Sequence, residues 1–348
     1  MFLRSFFVLI STSFLFGCTS QTAIPTEFPT PQPPPAATPV PAIALKRDAD
    51  LEKQFASIAE AAKGKVGAAV VVLETGDAAL LNADGHYPMQ SVYKLPICMA
   101  MMDQIRLGQH DLDEKIGVTP ADYVRQGQAS AIRDKFPNGG EFTIRDLIGY
   151  ALVQSDGSAS DVLLRVLGGA SVVQDYVEQI GIQDMHVVNT EKELGAKWET
   201  QYDNWATPVG AVDLLEYFRS ASSPLPEQTP TDSMKKVGVV FTRYPPDVQR
   251  FLTLGKFMSD SATGPNRIKG LLPKGTIVAH KTGTGGTQNG ITSATNDIGI
   301  IDLPNRKHLA VAIFVPDSPA DEKTREAVIA KIAKAAYDRW KQSAEQTK

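Results

Sequence analysis

Ser91 and Lys94 stand three residues apart, just after Tyr87-Pro88-Met89-Gln90 and just ahead of an apolar run over residues 95–102. A proline leading into an apolar helical pattern puts Ser91 at a helix N-terminus, and the i to i+3 spacing puts Lys94 on the same face. Hydroxyl and amine can then touch. A serine hydroxyl is a weak nucleophile until a base takes its proton. A desolvated lysine can be neutral enough to help, and the helix dipole favours the anion that develops. Alone, a serine three before a lysine is too common to carry an assignment, because a capped helix with a surface lysine looks the same. Its partners decide. One is Ser155-Asp156-Gly157, in isolation an ordinary turn. Another is Lys281-Thr282-Gly283-Thr284-Gly285, at the end of a strand-like run. A lysine with threonine hydroxyls on a strand edge can clamp a carboxylate, and Gly283 leaves room for a flat substrate to lie against the strand. The alternatives there are a solvated edge or a glycine-rich phosphate turn, and the latter lacks its strand-loop-helix context.

The elements that must position these residues follow from hydrophobic periodicity. Leu51, Phe55, Ile58 and Ala62 recur at helical spacing until a glycine-bearing break at residues 63–65. The apolar runs at 66–73 and 78–81 then read as a hairpin around Thr75-Gly76-Asp77. Three further strand-like runs come only near the other end, at 276–282, 297–301 and 308–315. A last helix follows, with Ser318 expected to accept from the first-turn amides, Pro319 at its first position, and Asp321 and Glu322 at the positive end of the dipole. Its apolar face is Val328, Ile329, Ile332, Ala336 and Trp340. Residues 91–250 are mostly helical in pattern and lack strand alternation. The expected fold is mixed α/β of the α+β kind: a five-stranded antiparallel sheet from both chain ends, terminal helices packed on it, and an inserted all-helical subdomain.

The chain has 348 residues, a formal charge of −4, 43% hydrophobic and 21% charged residues. That composition excludes a wholly disordered, collagenous or multi-span membrane chain, and the charge gives no reason to expect a nucleic-acid partner. The five histidines, His86, His110, His186, His280 and His308, are scattered, which argues against a zinc hydrolase. Cys98 lies among Pro96, Ile97, Met99 and Ala100 and reads as a buried, inert thiol.

Residues 1–17 carry Arg4 and then an apolar stretch too short to span a bilayer, which reads as an export signal. It ends Leu15-Phe16-Gly17-Cys18, similar to a bacterial lipoprotein site in which Cys18 is lipidated, although Phe16 is bulkier than usual there; an ordinary secretory cut nearby is the alternative. Thr19 after it would suit the outer membrane of a Gram-negative cell, facing the periplasm. Eight of the 23 prolines fall between Gln21 and Leu45, so residues 18–46 read as a stiff, extended linker ahead of a catalytic domain at 47–345.

The three motifs in this order resemble class A serine β-lactamases of the penicillin-recognising family. The runs YPMQSVYKLPI (87–97), LLPKGTIVAHKTGTGG (271–286) and ATNDIGIIDLP (294–304) most resemble its PER/VEB-like branch. The resemblance covers most of residues 47–345 and implies an enzyme that hydrolyses the β-lactam amide through an acyl-enzyme on Ser91. Lys94, or Glu191 through water, would take the hydroxyl proton, and Ser155 would relay one to the leaving nitrogen. Lys281, Thr282, Gly283 and Thr284 would bind substrate, with the backbone amides of Ser91 and Thr284 holding the oxyanion. Glu191 would activate the deacylating water, with Glu193 the competing assignment, and Asp161 would support the loop that carries it. No metal or organic cofactor is implied. The partners are a small-molecule β-lactam and a membrane only through the lipid, and the protein is expected to be a monomer. Gly157 stands where the family usually has an asparagine, Gly195 where many members have a polar residue near the deacylating water, and Ala129 near a common aromatic. Each lost polar contact of this kind can cost roughly 1–3 kcal/mol. The same fold could instead serve a D,D-peptidase, an esterase, or a lipoprotein that binds β-lactams without hydrolysing them.

Overall fold

A computed structural model describes residues 44–222 and 246–342. The expected export signal, most of the proline-rich segment and Cys18 lie outside the described residues, as do residues 343–345 of the expected domain. Five long strands form the sheet: β1 (Gly67–Val72), β2 (Asp77–Leu81), β3 (Val278–Thr284), β4 (Ile291–Asp302) and β5 (His308–Ser318). Their order is β2-β1-β5-β4-β3, and every neighbouring pair is antiparallel. Two-residue segments at Lys46–Arg47, parallel to β2, and Thr287–Gln288, antiparallel to β4, bring the sheet to seven strands where five were expected.

Both faces of this sheet are apolar, so the central strands read as nearly continuous hydrophobic runs. Alternation assigns each side chain to a face. Val70, Val72, Leu309, Val311, Ile313 and Val315 pack with Leu51 and Phe55 of α1 (Ala49–Ala59) and with Val328, Ile329, Ile332 and Ala336 of α5 (Glu322–Trp340). Ala69, Val71, Ala310, Ala312 and Phe314 face the other way, onto the inserted helices. Chief among those is α2 (Lys94–Arg106), ten of whose 13 residues are buried; only a helix surrounded by others is apolar almost all round.

Three sequence expectations are corrected. The region 91–250 is not wholly helical: Lys115–Val118 pairs with Gly140–Thr143, and Tyr87–Pro88, Trp205–Ala206 and Met185–His186 make a small sheet. Segments of two to four residues are too short to display a period. Ser318 is not the cap of the last helix; it ends β5, paired with Thr292, and its hydroxyl donates to the Ala62 carbonyl. Asp321 caps instead, accepting from Thr324 N at 2.7 Å. Finally, β4 runs 12 residues from Ile291, because its polar stretch is buried and bonded: Asn296 Nδ2 donates to Pro88 O at 2.7 Å and Arg325 Nε to Thr295 Oγ1 at 2.8 Å.

Candidate active site

Ser91 lies in a short 3-10 turn, Gln90–Tyr93, that runs directly into α2. Its backbone N–H is therefore one of the free donors at a helical start. Gln90, just before it, is held at φ 49°, a left-handed conformation unusual for a residue with a side chain, and its Nε2 donates to Gln201 O at 3.2 Å. One turn on, Lys94 is buried, and its Nζ reaches Ser91 Oγ at 2.8 Å, Ser155 O at 3.1 Å and Glu191 Oε2 at 3.0 Å. The i to i+3 reading of Ser91 and Lys94 thus holds in space.

Ser155 sits at φ 57°, between the helix Ile144–Val153 and α3 (Gly157–Leu167). Asp156 fixes this turn: its carboxylate accepts from Ala159 N at 2.8 Å, as the cap of α3, and from Ile132 N at 2.7 Å. The Ser155 carbonyl then faces Lys94, while its hydroxyl accepts from Lys281 Nζ at 2.9 Å. Lys281 is fully buried; burial, and after it the nearby Lys94 charge, hold its ammonium well below the ordinary lysine range. Ser155 consequently bridges the two amines.

Glu191 opens the short helix α4 (Glu191–Leu194). Thr190 and Glu193 form a capping box, with Glu193 Oε2 accepting from Thr190 N at 2.8 Å and Thr190 Oγ1 accepting from Glu193 N at 3.3 Å. Glu193 is thereby committed to the cap, and it is the Glu191 carboxylate that turns inward to Lys94 and accepts from Tyr93 Oη at 3.2 Å. Burial, then the Glu191 charge, push the Tyr93 hydroxyl well above its usual range, so it stays a donor. Asp161 of α3 fastens the loop from below, accepting from Glu191 N at 2.6 Å and Lys192 N at 3.1 Å. Burial pushes its carboxyl up to about 7 even though the two amides pull the other way.

The opposite wall is β3. A Cβ on Gly283 would stand 2.3 Å from the Met89 carbonyl, so glycine is what lets the strand close against the turn that presents Ser91. Its missing side chain makes room for that carbonyl. Thr282 is buried and its hydroxyl bonds Thr263 Oγ1 at 2.6 Å, whereas Thr284 is exposed to the cleft. Sequence reasoning missed Arg267. This buried guanidinium donates to Thr284 Oγ1 at 2.8 Å, Gly283 O at 3.1 Å and Asn296 O at 3.0 Å, and pairs with Glu326 at 3.1 Å. No spacing marks it, because its reach is set by tertiary packing. Gln201 was also missed; its Oε1 accepts from Gly286 N at 3.0 Å and Ser293 Oγ at 2.9 Å, tying the segment after Glu191 to the end of β3.

Ser91, Ser155, Glu191, Thr282 and Thr284 line one open cleft of about 1500 Å³, with Ala129 and Gly195 on its walls. Among the described residues no group of three His, Cys, Asp or Glu is placed to hold a metal ion. A hydroxyl nucleophile, a buried amine, a carboxylate on that amine and a cationic wall behind an exposed threonine together suit acyl transfer to and from serine.

The family model of the "Beta-lactamase enzyme family" matches residues 50–224 and 249–340. The chain belongs to that family. It is 34% identical to β-lactamase VEB-1 of Pseudomonas aeruginosa over 289 residues, covering 83% of this chain and 90% of VEB-1. To the extended-spectrum β-lactamase PER-1 of the same organism it is 36% identical, over 82% of this chain and 86% of PER-1. The crystal structure of TLA-3 extended-spectrum β-lactamase superposes with a TM-score of 0.75 at 34% identity, over 84% of this chain and 99% of TLA-3. These relatives place the chain among class A β-lactamases of the PER/VEB type.

Two of the departures from that family have other side chains in their place. A Cβ on Gly157 would lie 2.7 Å from Glu191 Cγ, so the glutamate side chain fills the space beside it. A Cβ on Gly195 would meet the Gln128 carboxamide, 2.5 Å from Nε2. At the third, the Ala129 carbonyl accepts from Gly157 N at 2.8 Å.

Proposed function

We propose that this β-lactamase opens the lactam amide through an acyl-enzyme on Ser91 and frees the product with water activated by Glu191. The observation that carries this is the position of Lys94 Nζ, 2.8 Å from Ser91 Oγ and 3.0 Å from Glu191 Oε2. When the pair's proton rests on Glu191, the Lys94 amine is free to take the Ser91 proton as Oγ attacks the carbonyl carbon. The backbone amides of Ser91 and Thr284 receive the oxyanion. The lactam C–N bond then breaks, and the proton that Lys94 took from Ser91 passes to the nitrogen through Ser155 Oγ, which Lys281 touches at 2.9 Å. Lys281 and the Thr284 hydroxyl, held by Arg267, bind the substrate carboxylate, with Thr282 beside them. Before the second half the pair's proton returns from Glu191 to Lys94 across their 3.0 Å contact; Glu191 then takes a proton from water, the ester bond to Ser91 breaks, and Oγ recovers its proton from Lys94. None of these steps calls for a metal or organic cofactor.

The test is hydrolysis of a chromogenic cephalosporin by the purified protein, followed by mass spectrometry of the Glu191→Gln variant. Steady turnover by the parent and a persistent adduct on Ser91 in the variant are expected; no turnover of any β-lactam would overturn the reading.

The protein acts outside the cytoplasm as a monomer, held to a membrane by lipid on Cys18 and spaced from it by the proline-rich segment. Support comes from the sequence motif at Leu15-Phe16-Gly17-Cys18 and the proline density after it. Expressed in a Gram-negative host, the protein should partition into the detergent phase of a cloud-point extraction, and Cys18→Ser should move it to the aqueous phase. Aqueous partition of both would remove the anchor.

A further inference from the structure

Gln128 carries an unexplained acceptor beside the cleft. Its Nε2 donates to the Glu191 carbonyl, which Gly195 N also reaches at 3.1 Å. Because the nitrogen must face that carbonyl, the other end of the carboxamide is fixed as oxygen. That oxygen, Oε1, is buried and finds no hydrogen-bond donor among the described residues. An orphaned acceptor of this kind costs about 1–3 kcal/mol unless something outside the chain donates to it. The segment bearing it is braced, since Gln128 N donates to Arg125 O at 3.2 Å and Arg133 Nη1 to Gln128 O at 3.1 Å. The carboxamide also fills the space over Gly195, with Oε1 2.7 Å from where a Cβ there would lie. Residue 195 can thus be only glycine while Gln128 keeps this position.

We propose that Gln128 is a positioning residue for deacylation: its Oε1 holds the attacking water in place of a polar side chain at position 195. The proposal rests on the assignment of Glu191 to deacylation. A water poised to attack an ester has two hydrogens to place. Glu191 accepts one as proton, and Gln128 Oε1 accepts the other as a hydrogen bond that is kept throughout. The water oxygen bonds to the acyl carbon, its proton passes to Glu191, and the bond from that carbon to Ser91 Oγ breaks as Oγ takes a proton from Lys94. Fixing both hydrogens aims the remaining lone pair at the carbonyl. Acylation needs no such water if Lys94 serves Ser91 directly, so the two half-reactions should respond differently to loss of Gln128.

The experiment is quenched-flow mass spectrometry with a chromogenic cephalosporin on four proteins: the parent, Gln128→Met, Gly195→Asn, and the double variant Gln128→Ala with Gly195→Asn. In Gln128→Met, deacylation should slow by about ten- to a hundred-fold while acylation changes by less than about three-fold, so that adduct on Ser91 accumulates. Gly195→Asn alone should also slow deacylation, because its side chain meets the carboxamide. In the double variant the truncated residue 128 leaves room for the asparagine amide to accept from the water, and deacylation should recover at least part of the loss. Equal slowing of both half-reactions in Gln128→Met would assign Gln128 to packing alone and overturn the proposal, as would unchanged deacylation or a double variant no better than the worse single one. If Glu191→Gln in the same experiment fails to trap the adduct, the underlying assignment of Glu191 is what fails.

Discussion

Arg267 joins three parts of the cleft wall with one guanidinium. It donates to the Thr284 hydroxyl, to carbonyls of β3 and β4, and pairs with Glu326 on α5, all in nearly complete burial. A buried pair contributes little over an apolar substitute, yet removing one partner leaves a charge stranded. Arg267→Ala should therefore destabilise the protein by about 3–5 kcal/mol in chemical denaturation. With the Thr284 hydroxyl left unheld, KM for a β-lactam should rise several-fold more than kcat falls. An unchanged KM would remove Arg267 from substrate binding. Gly157 and Gly195 work by a different logic at the same scale. Their missing side chains are the spaces that Glu191 and Gln128 fill, so reading them only as lost contacts overlooks what the glycines admit.

At the scale of elements, the loop with Glu191 has little regular structure of its own: α4 is a single turn, kept by its capping box and by Asp161 of α3 beneath it. The fastening is pH-sensitive. Burial raises the Asp161 carboxyl to about 7 from an ordinary value near 3.8, so the folded state favours the neutral acid. A raised folded value means stability that is complete below pH 3.8 and is lost as the pH climbs through about 7. The slope across that window is at most about 1.4 kcal/mol per pH unit. Asp161→Asn abolishes the titration, so the stability of the parent minus that of the variant should decline from pH 4 to pH 7 in urea melts. A difference independent of pH would show that Asp161 does not titrate in this range. The variant also faces Lys192 N or Glu191 N with an amide instead of an acceptor, and deacylation should slow with it.

At the scale of the molecule, two apolar layers sandwich the sheet, and the layer toward the inserted helices surrounds α2. The same burial that desolvates Lys94 encloses Cys98 one turn further along α2 and pushes its thiol up, out of the range where thiolate forms. Cys98 should resist iodoacetamide in the native protein and become alkylated only across the denaturation transition, read as the modified Cys98 peptide. Labelling in native buffer would mean that α2 opens without global unfolding, and the amine on its first turn would then be wet as well.

Hydrophobic period and motif order, legible along the chain, determined the terminal helices, the five long strands and the pairing of Ser91 with Lys94, since each depends on neighbours within a few residues. Tertiary structure decided the rest. That Glu191 and not Glu193 reaches Lys94, that Arg267 stands behind Thr284, and that Gln128 fills the space over Gly195 are contacts between residues 17 or more apart in the chain, through space that only packing defines. Periodicity reports which face of an element is dry, but it carries no information on which distant side chain will be pressed against that face.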